Sequence, residues 1–141
     1  MDIDQILEDF SYLDDWEDRY RYVIELGRQL PEFDEADRTP GNKVEGCVSQ
    51  VWLRTWPQTR DGEKILVFSG DSDAHIVRGL IAILFALYSG RTPDEIRRID
   101  ASAIMDRLGL KDHLTQQRSN GLQAMIGRIR AEAEAALAAT A

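Results

Sequence analysis

At 141 residues, 43% of them hydrophobic, the chain suits one soluble globular domain, residues 1–141, that buries roughly two-thirds of its unfolded surface. The formal charge of −8 is concentrated at the front, where residues 1–41 hold 13 acidic and 4 basic side chains, and this balance argues against a nucleic-acid partner, which wants a basic face. No apolar run reaches the ~18–20 residues that cross a bilayer, the acidic start Met1-Asp2-Ile3-Asp4 is neither a signal nor a transit peptide, and a lone cysteine suits a reducing, cytoplasmic setting.

Ile3, Ile6, Leu7, Phe10 and Leu13 recur at helical spacing and predict an amphipathic helix over 3–13. Asp14-Asp15-Trp16-Glu17 supplies an acidic cap for a second helix, whose face carries Trp16, Tyr20, Val23, Ile24 and Gly27. Leu30-Pro31 ends it, and residues 31–42, rich in Pro, Gly and acids, predict a surface loop. From Lys43 the period changes. Val51, Leu53 and Thr55 alternate with Gln50, Trp52, Arg54 and Trp56, which is strand behaviour. Arg60-Asp61-Gly62 signals a hairpin turn and Lys64–Ser69 the return strand. Because a lone two-stranded hairpin is marginal, Lys43–Glu45 is expected to add a third antiparallel strand.

The second half reads as helical. Ser72 or Asp71 is expected to cap a strongly apolar helix carrying Ile76, Val77, Leu80, Ile81, Leu84, Phe85 and Tyr88, closed by Gly90. That helix is apolar enough to be the central buried one. Thr92-Pro93-Asp94-Glu95 combines a cap, proline at the first helical position and glutamate at the third, and a short helix through Ile104 and Leu108 stops at Gly109. The last helix starts near Ser119 and runs through Leu122, Met125, Ile126, Ile129 and Leu137, with an alanine-rich tail expected to fray. The fold class is therefore α+β: a small three-stranded antiparallel sheet packed with N- and C-terminal helices.

Cys47 stands where loop becomes strand, in the run Lys43-Val44-Glu45-Gly46-Cys47-Val48-Ser49-Gln50-Val51-Trp52. A free cysteine is most often a small buried hydrophobe. Polar neighbours and a loop position favour instead a thiol presented to a partner, with Gly46 freeing the backbone for a positive φ. Thiol chemistry runs through the thiolate, a minor form of ordinary cysteine at neutral pH. Lys43 and Arg118 favour that anion where they come close, and Glu45 opposes it.

Three classes of function compete for such a thiol: a sulfur carrier, a metal or cluster scaffold, and a Cys-His hydrolase or transferase. A scaffold needs about four Cys or Cys/His ligands, which one cysteine and two separated histidines do not supply. The third class needs a base beside the thiol. His75, on the first turn of the central helix, and His113, in a polar loop, are the only histidines, and each alone reads as a structural one. Ser49 and Ser69 lack any nucleophile-elbow context, and no glycine-rich phosphate loop is present.

The run Gly46-Cys47-Val48-Ser49-Gln50-Val51-Trp52 resembles the Gly-Cys-x-Ser-Gln-Val-Trp motif of the SufE family of sulfur acceptors. Gly70-Asp71-Ser72-Asp73-Ala74-His75-Ile76-Val77-Arg78-Gly79-Leu80-Ile81 resembles that family's second signature, and His113-Leu114-Thr115-Gln116-Gln117-Arg118-Ser119-Asn120-Gly121-Leu122 its third. With Tyr22-Val23-Ile24-Glu25-Leu26-Gly27-Arg28-Gln29-Leu30-Pro31, the match covers nearly the whole chain. The resemblance implies a compact fold shared with iron–sulfur scaffold proteins. It implies that Cys47 takes sulfur from the persulfide of a PLP-dependent cysteine desulfurase, stimulates that enzyme and passes sulfur to an iron–sulfur scaffold. A paralogous carrier feeding another pathway would share the same motifs.

On this reading the pyridoxal phosphate belongs to the partner. The chain needs no cofactor or metal of its own, works as a monomer or homodimer, and is a sulfur-transfer partner rather than an independent enzyme. Gly46, Asp73 and Arg118 would support Cys47, against the plain alternatives of a helix cap for Asp73 and a salt bridge for Arg118. The family motif does not require histidine where His75 stands. Because exposed persulfides are oxidised, the thiol is expected to turn inward against Val48, Val51 and Trp52 and to swing outward at its partner.

Overall fold

The computed structural model describes residues 2–110 and 112–140, so Met1, Lys111 and Ala141 of the expected 1–141 span lie outside the described residues. Helix α1 (Ile3–Ser11) begins where the Asp2 carboxylate accepts the Gln5 N–H at 2.8 Å, and it buries Ile6 and Phe10. It stops short of residue 13 because the Tyr12 N–H turns back to the Asp9 carbonyl, tightening the last turn. Asp15 caps α2 (Trp16–Arg28) through the Glu17 N–H at 2.9 Å. The inward face of α2 is Val23, Leu26 and Gly27, while Trp16 and Ile24 are half-buried and Tyr20 is exposed. Two short 3-10 turns, Glu35–Asp37 and Pro40–Asn42, interrupt the following loop, and Phe33 and Val44 pin it to the core.

Strands β1 (Val51–Arg60) and β2 (Glu63–Ser72) pair antiparallel from Arg60↔Glu63 at the turn to Val51↔Ser72 at the open end. Asp61 and Gly62 have φ of 52° and 81°, the double positive φ that a tight hairpin requires. The described residues form a two-stranded sheet, not the three strands expected. Lys43 makes only an isolated bridge to Trp52, and the Val44 N–H donates to the Val51 carbonyl at 2.9 Å. Gly46, at φ 90°, then turns the chain away before a third strand develops. The marginal hairpin is stabilised from one face instead, where Val51, Leu53, Leu66 and Phe68 are buried in the helical core.

Helix α3 (His75–Tyr88) is the hub, with Ile76, Val77, Leu80, Ile81, Ile83, Leu84, Leu87 and Tyr88 all buried. An all-round apolar helix belongs inside, each such Leu or Ile contributing about 1.5–3 kcal/mol over its exposed state. The expected caps do not form. Ala74 precedes α3 with no side-chain cap, the Ser72 hydroxyl accepts the Ala74 N–H at 3.2 Å, and Asp71 is engaged by arginines. Helices α2 and α3 meet at Gly27 and Gly79, where a Cβ on Gly79 would lie 2.1 Å from the Val23 carbonyl oxygen.

The reciprocal bonds of the Thr92/Glu95 capping box, 3.2 and 3.1 Å, open α4 (Pro93–Arg98) as its sequence indicates. Asp100 caps α5 (Ala101–Arg107), which ends at Leu108 and Gly109. Helix α6 (Gln116–Thr140) starts one turn before Ser119, because the Thr115 hydroxyl accepts the Arg118 N–H at 3.2 Å. It remains helical through the alanine-rich tail and turns Leu122, Met125, Ile126, Ile129 and Ala133 inward. Among the described residues no helix is long and apolar enough to cross a membrane.

Candidate functional site

Residues 45–50 form a loop closed at its base by the Val44–Val51 hydrogen bond. Its far leg is held by Asp73, whose Oδ1 accepts the Gln50 N–H at 3.1 Å while its own N–H donates to the Gln50 carbonyl at 3.3 Å. Asp73 is therefore a loop latch rather than the cap of α3. On the near leg, Gly46 is required twice over. Its φ of 90° suits glycine, and a Cβ there would press within 3.3 Å of Ala124 on α6. That close approach lays Cys47, half-buried, against the start of α6.

The Cys47 Sγ–H points at the Gly121 carbonyl oxygen, 3.6 Å away. Beside it opens a cavity of about 180 Å³, walled by Val51, Val77, Leu80, Leu122 and Met125, with Thr115, Gln117 and Arg118 adding polar groups. Burial pushes the thiol pKa up, and the Glu45 carboxylate pushes the same way. The resting group is a neutral thiol that donates a hydrogen bond.

The structure brings Cys47 and Arg118 together around this cavity, sets Gly46 against Ala124 on the near leg of the loop and Asp73 on its other leg. Of the expected sheltering residues Val51 walls the cavity, and the other two do not cover the thiol. Val48 edges the cavity but is 74% exposed. Trp52 lies under the Arg38 guanidinium, 4.7 Å from its ring centre, and Arg38 in turn binds Asp71 at 2.6 Å. A strand side chain next to Val51 must point to the opposite face, so Trp52 cannot shelter a thiol that Val51 shelters. Asp71 also pairs with Arg78 at 3.1 Å, which ties the loop at 38 to the start of α3.

Neither histidine lines the cavity. His75 is exposed on α3, and His113 stacks on Trp16 with ring centres 4.2 Å apart. The thiol thus has no histidine base beside it. The walls from α3 and α6, and the Gly121 acceptor, went unassigned in the sequence. Their helical spacing marks them as core, but nothing in a spacing says which core residues face a distant loop. Among the described residues no group of three or more His, Cys, Asp or Glu side chains is placed to hold a metal ion.

Comparison with known proteins adds an independent line. A SufE family model, described as an Fe-S metabolism associated domain, matches residues 4–133. An uncharacterized SufE-like protein of Rhizobium meliloti (strain 1021) is 57% identical over 137 residues, covering 97% of this chain and 98% of that one. A second, from Rhizobium etli, is 58% identical over 137 residues, covering 97% and 93%. The solution structure of a hypothetical protein from Thermus thermophilus shares the α+β fold, with a TM-score of 0.74 at 20% identity over 96% of each chain. A family model over nearly all of the chain, relatives of this similarity and a matching fold agree: the chain belongs to the SufE family, whose domain is associated with iron–sulfur metabolism.

Proposed function

We propose that the protein is a sulfur acceptor, taking sulfur from the persulfide of a PLP-dependent cysteine desulfurase onto Cys47 and passing it to an iron–sulfur scaffold. The observation that carries this reading is the single thiol poised over an apolar-walled cavity of about 180 Å³. A water needs only about 10–15 Å³ of such space, so a cavity of about 180 Å³ offers room for one extra sulfur beside Sγ. A persulfide seated there is shielded from the oxidation that follows exposure.

The transfer balances without an added oxidant. The Cys47 thiolate attacks the outer sulfur of the donor persulfide, forming one S–S bond as the donor's S–S bond breaks, and the donor cysteine leaves as a thiolate. The proton lost from Cys47, the one now shared with Gly121, ends on the departing donor thiolate. Because the resting thiol is neutral and half-buried, docking must turn it outward toward the donor sulfur. Gly46 supplies the hinge, Asp73 the latch that limits the movement, and Arg118 a cation near the nascent thiolate. A lone thiol stays available for this work in a reducing cytoplasm.

Stimulation of a partner desulfurase tests the reading. The wild type is expected to raise its rate of sulfur release from cysteine, and Cys47→Ser, which changes one atom at a loop site, is expected to fold normally and abolish the effect. Full stimulation by the serine variant would overturn direct transfer.

A further inference from the structure

We infer that Arg128 is a positioning residue for Cys47: reaching from α6, it clamps the leg of chain that leads into the thiol loop. Its Nη2 donates to the Gly41 carbonyl at 2.5 Å and its Nη1 to the Lys43 carbonyl at 3.4 Å. Its Nε donates to Glu132 at 3.0 Å, which aims the guanidinium. The side chain is 26% exposed; its bond to Glu132 is part-buried, while the two bonds to the loop carbonyls lie at the surface. A planar fork that serves two carbonyls and a carboxylate at once is a geometry lysine does not offer.

The placement matters because of what else α6 carries. Arg128 lies two helical turns beyond Gly121, on the same side of the helix. Gly121 accepts the Cys47 thiol, and Ala124, between them, touches Gly46. Arg128 therefore joins helix and loop into one body and keeps the thiol opposite the Gly121 carbonyl. The loop is gripped on both legs, by Arg128 before Cys47 and by Asp73 after it. Releasing the near leg raises the population in which the thiol faces water, and a larger competent population lowers the concentration needed for docking. This last step rests on the sulfur-acceptor reading; the clamp itself does not.

The test compares Arg128→Met and Arg128→Lys with Arg130→Met. Arg130 lies on the same helix and also bonds a backbone carbonyl, that of Arg97 at 3.2 Å, so its loss controls for general damage to α6. The readouts are the alkylation rate of Cys47 in the free protein, the thermal midpoint, and the acceptor concentration giving half-maximal desulfurase stimulation. Arg128→Met is expected to raise the alkylation rate severalfold and to lower the half-maximal concentration. Arg128→Lys should lie between it and the wild type, and it carries the test if the methionine variant does not fold. Arg130→Met should alkylate at the wild-type rate. Equal alkylation in the Arg128 and Arg130 variants overturns the clamp, whatever the desulfurase assay shows. Faster alkylation of the Arg128 variants in a protein that accepts no sulfur upholds the clamp and removes the sulfur-acceptor reading.

Discussion

At Cys47 two effects push the same way: withdrawal from water disfavours the thiolate, and the Glu45 carboxylate repels it. A group whose folded pKa is raised contributes its stability below the unfolded pKa and loses it as pH rises through the folded value. For this thiol that window opens on the alkaline side of neutrality. Alkylation of the free protein should therefore rise with pH at a midpoint above that of a small-molecule thiol. Glu45→Gln is expected to move the midpoint down but not to the ordinary value, because burial is the larger cause. A midpoint that stays put or rises in that variant would contradict the electrostatic account. The sequence placed Glu45 and Gly46 correctly beside the thiol because their effects are local. It left Lys43, Arg118 and Glu45 competing, since their balance depends on how deeply Sγ is buried, and that depends on α6.

Among elements, α3 shows how much a pattern reveals and where it stops. Its run of apolar residues from Ile76 to Tyr88 is unmistakable, and the helix is central as that run demands. Its start differs from the expected one because β2 continues through Ser72, which turns the would-be capping groups to other work. The third strand fails for a related reason. Lys43 and Val44 have the bridge and the hydrogen bond of a strand, but the positive φ at Gly46 ends the pairing, and strand propensity does not register such a turn. The capping box at Thr92 and the Asp61-Gly62 turn, both local, form as their residues indicate.

The same helix gives a sharp energetic test. Gly79 approaches α2 so closely that an added methyl collides with the Val23 backbone, at 2.1 Å, whereas Gly127 on α6 has nothing within 4 Å of its would-be Cβ. Gly79→Ala should lower stability by about 1–3 kcal/mol or more, the scale of an overpacked core. Gly127→Ala should raise it by about 0.5–1 kcal/mol, through helix propensity alone. Denaturant titration of both variants reads the two signs; a neutral Gly79→Ala would mean that α2 and α3 do not pack backbone to backbone.

Across the whole molecule, the site is assembled from three stretches far apart in sequence. The loop at 45–50 carries the thiol, α3 supplies Val77 and Leu80, and α6 supplies Arg118, Gly121, Leu122 and Met125. The motif around Cys47 and the signatures in α3 and α6 are visible separately in the sequence. Their convergence is not, because the hairpin between them turns the loop back over the helices and no periodicity records that return. The acidic α1 and α2 stand apart from the cavity; none of their residues line it.

The central claim, that Cys47 carries sulfur, is tested most directly by intact-mass and peptide mass spectrometry. The protein is incubated with a partner desulfurase and cysteine, then compared with and without reductant. The account expects one added sulfur atom, mapped to the peptide holding Cys47, removed by reductant and missing from Cys47→Ser. A wild-type protein that gains no sulfur beside an active desulfurase, or a serine variant that still gains it, would contradict the account.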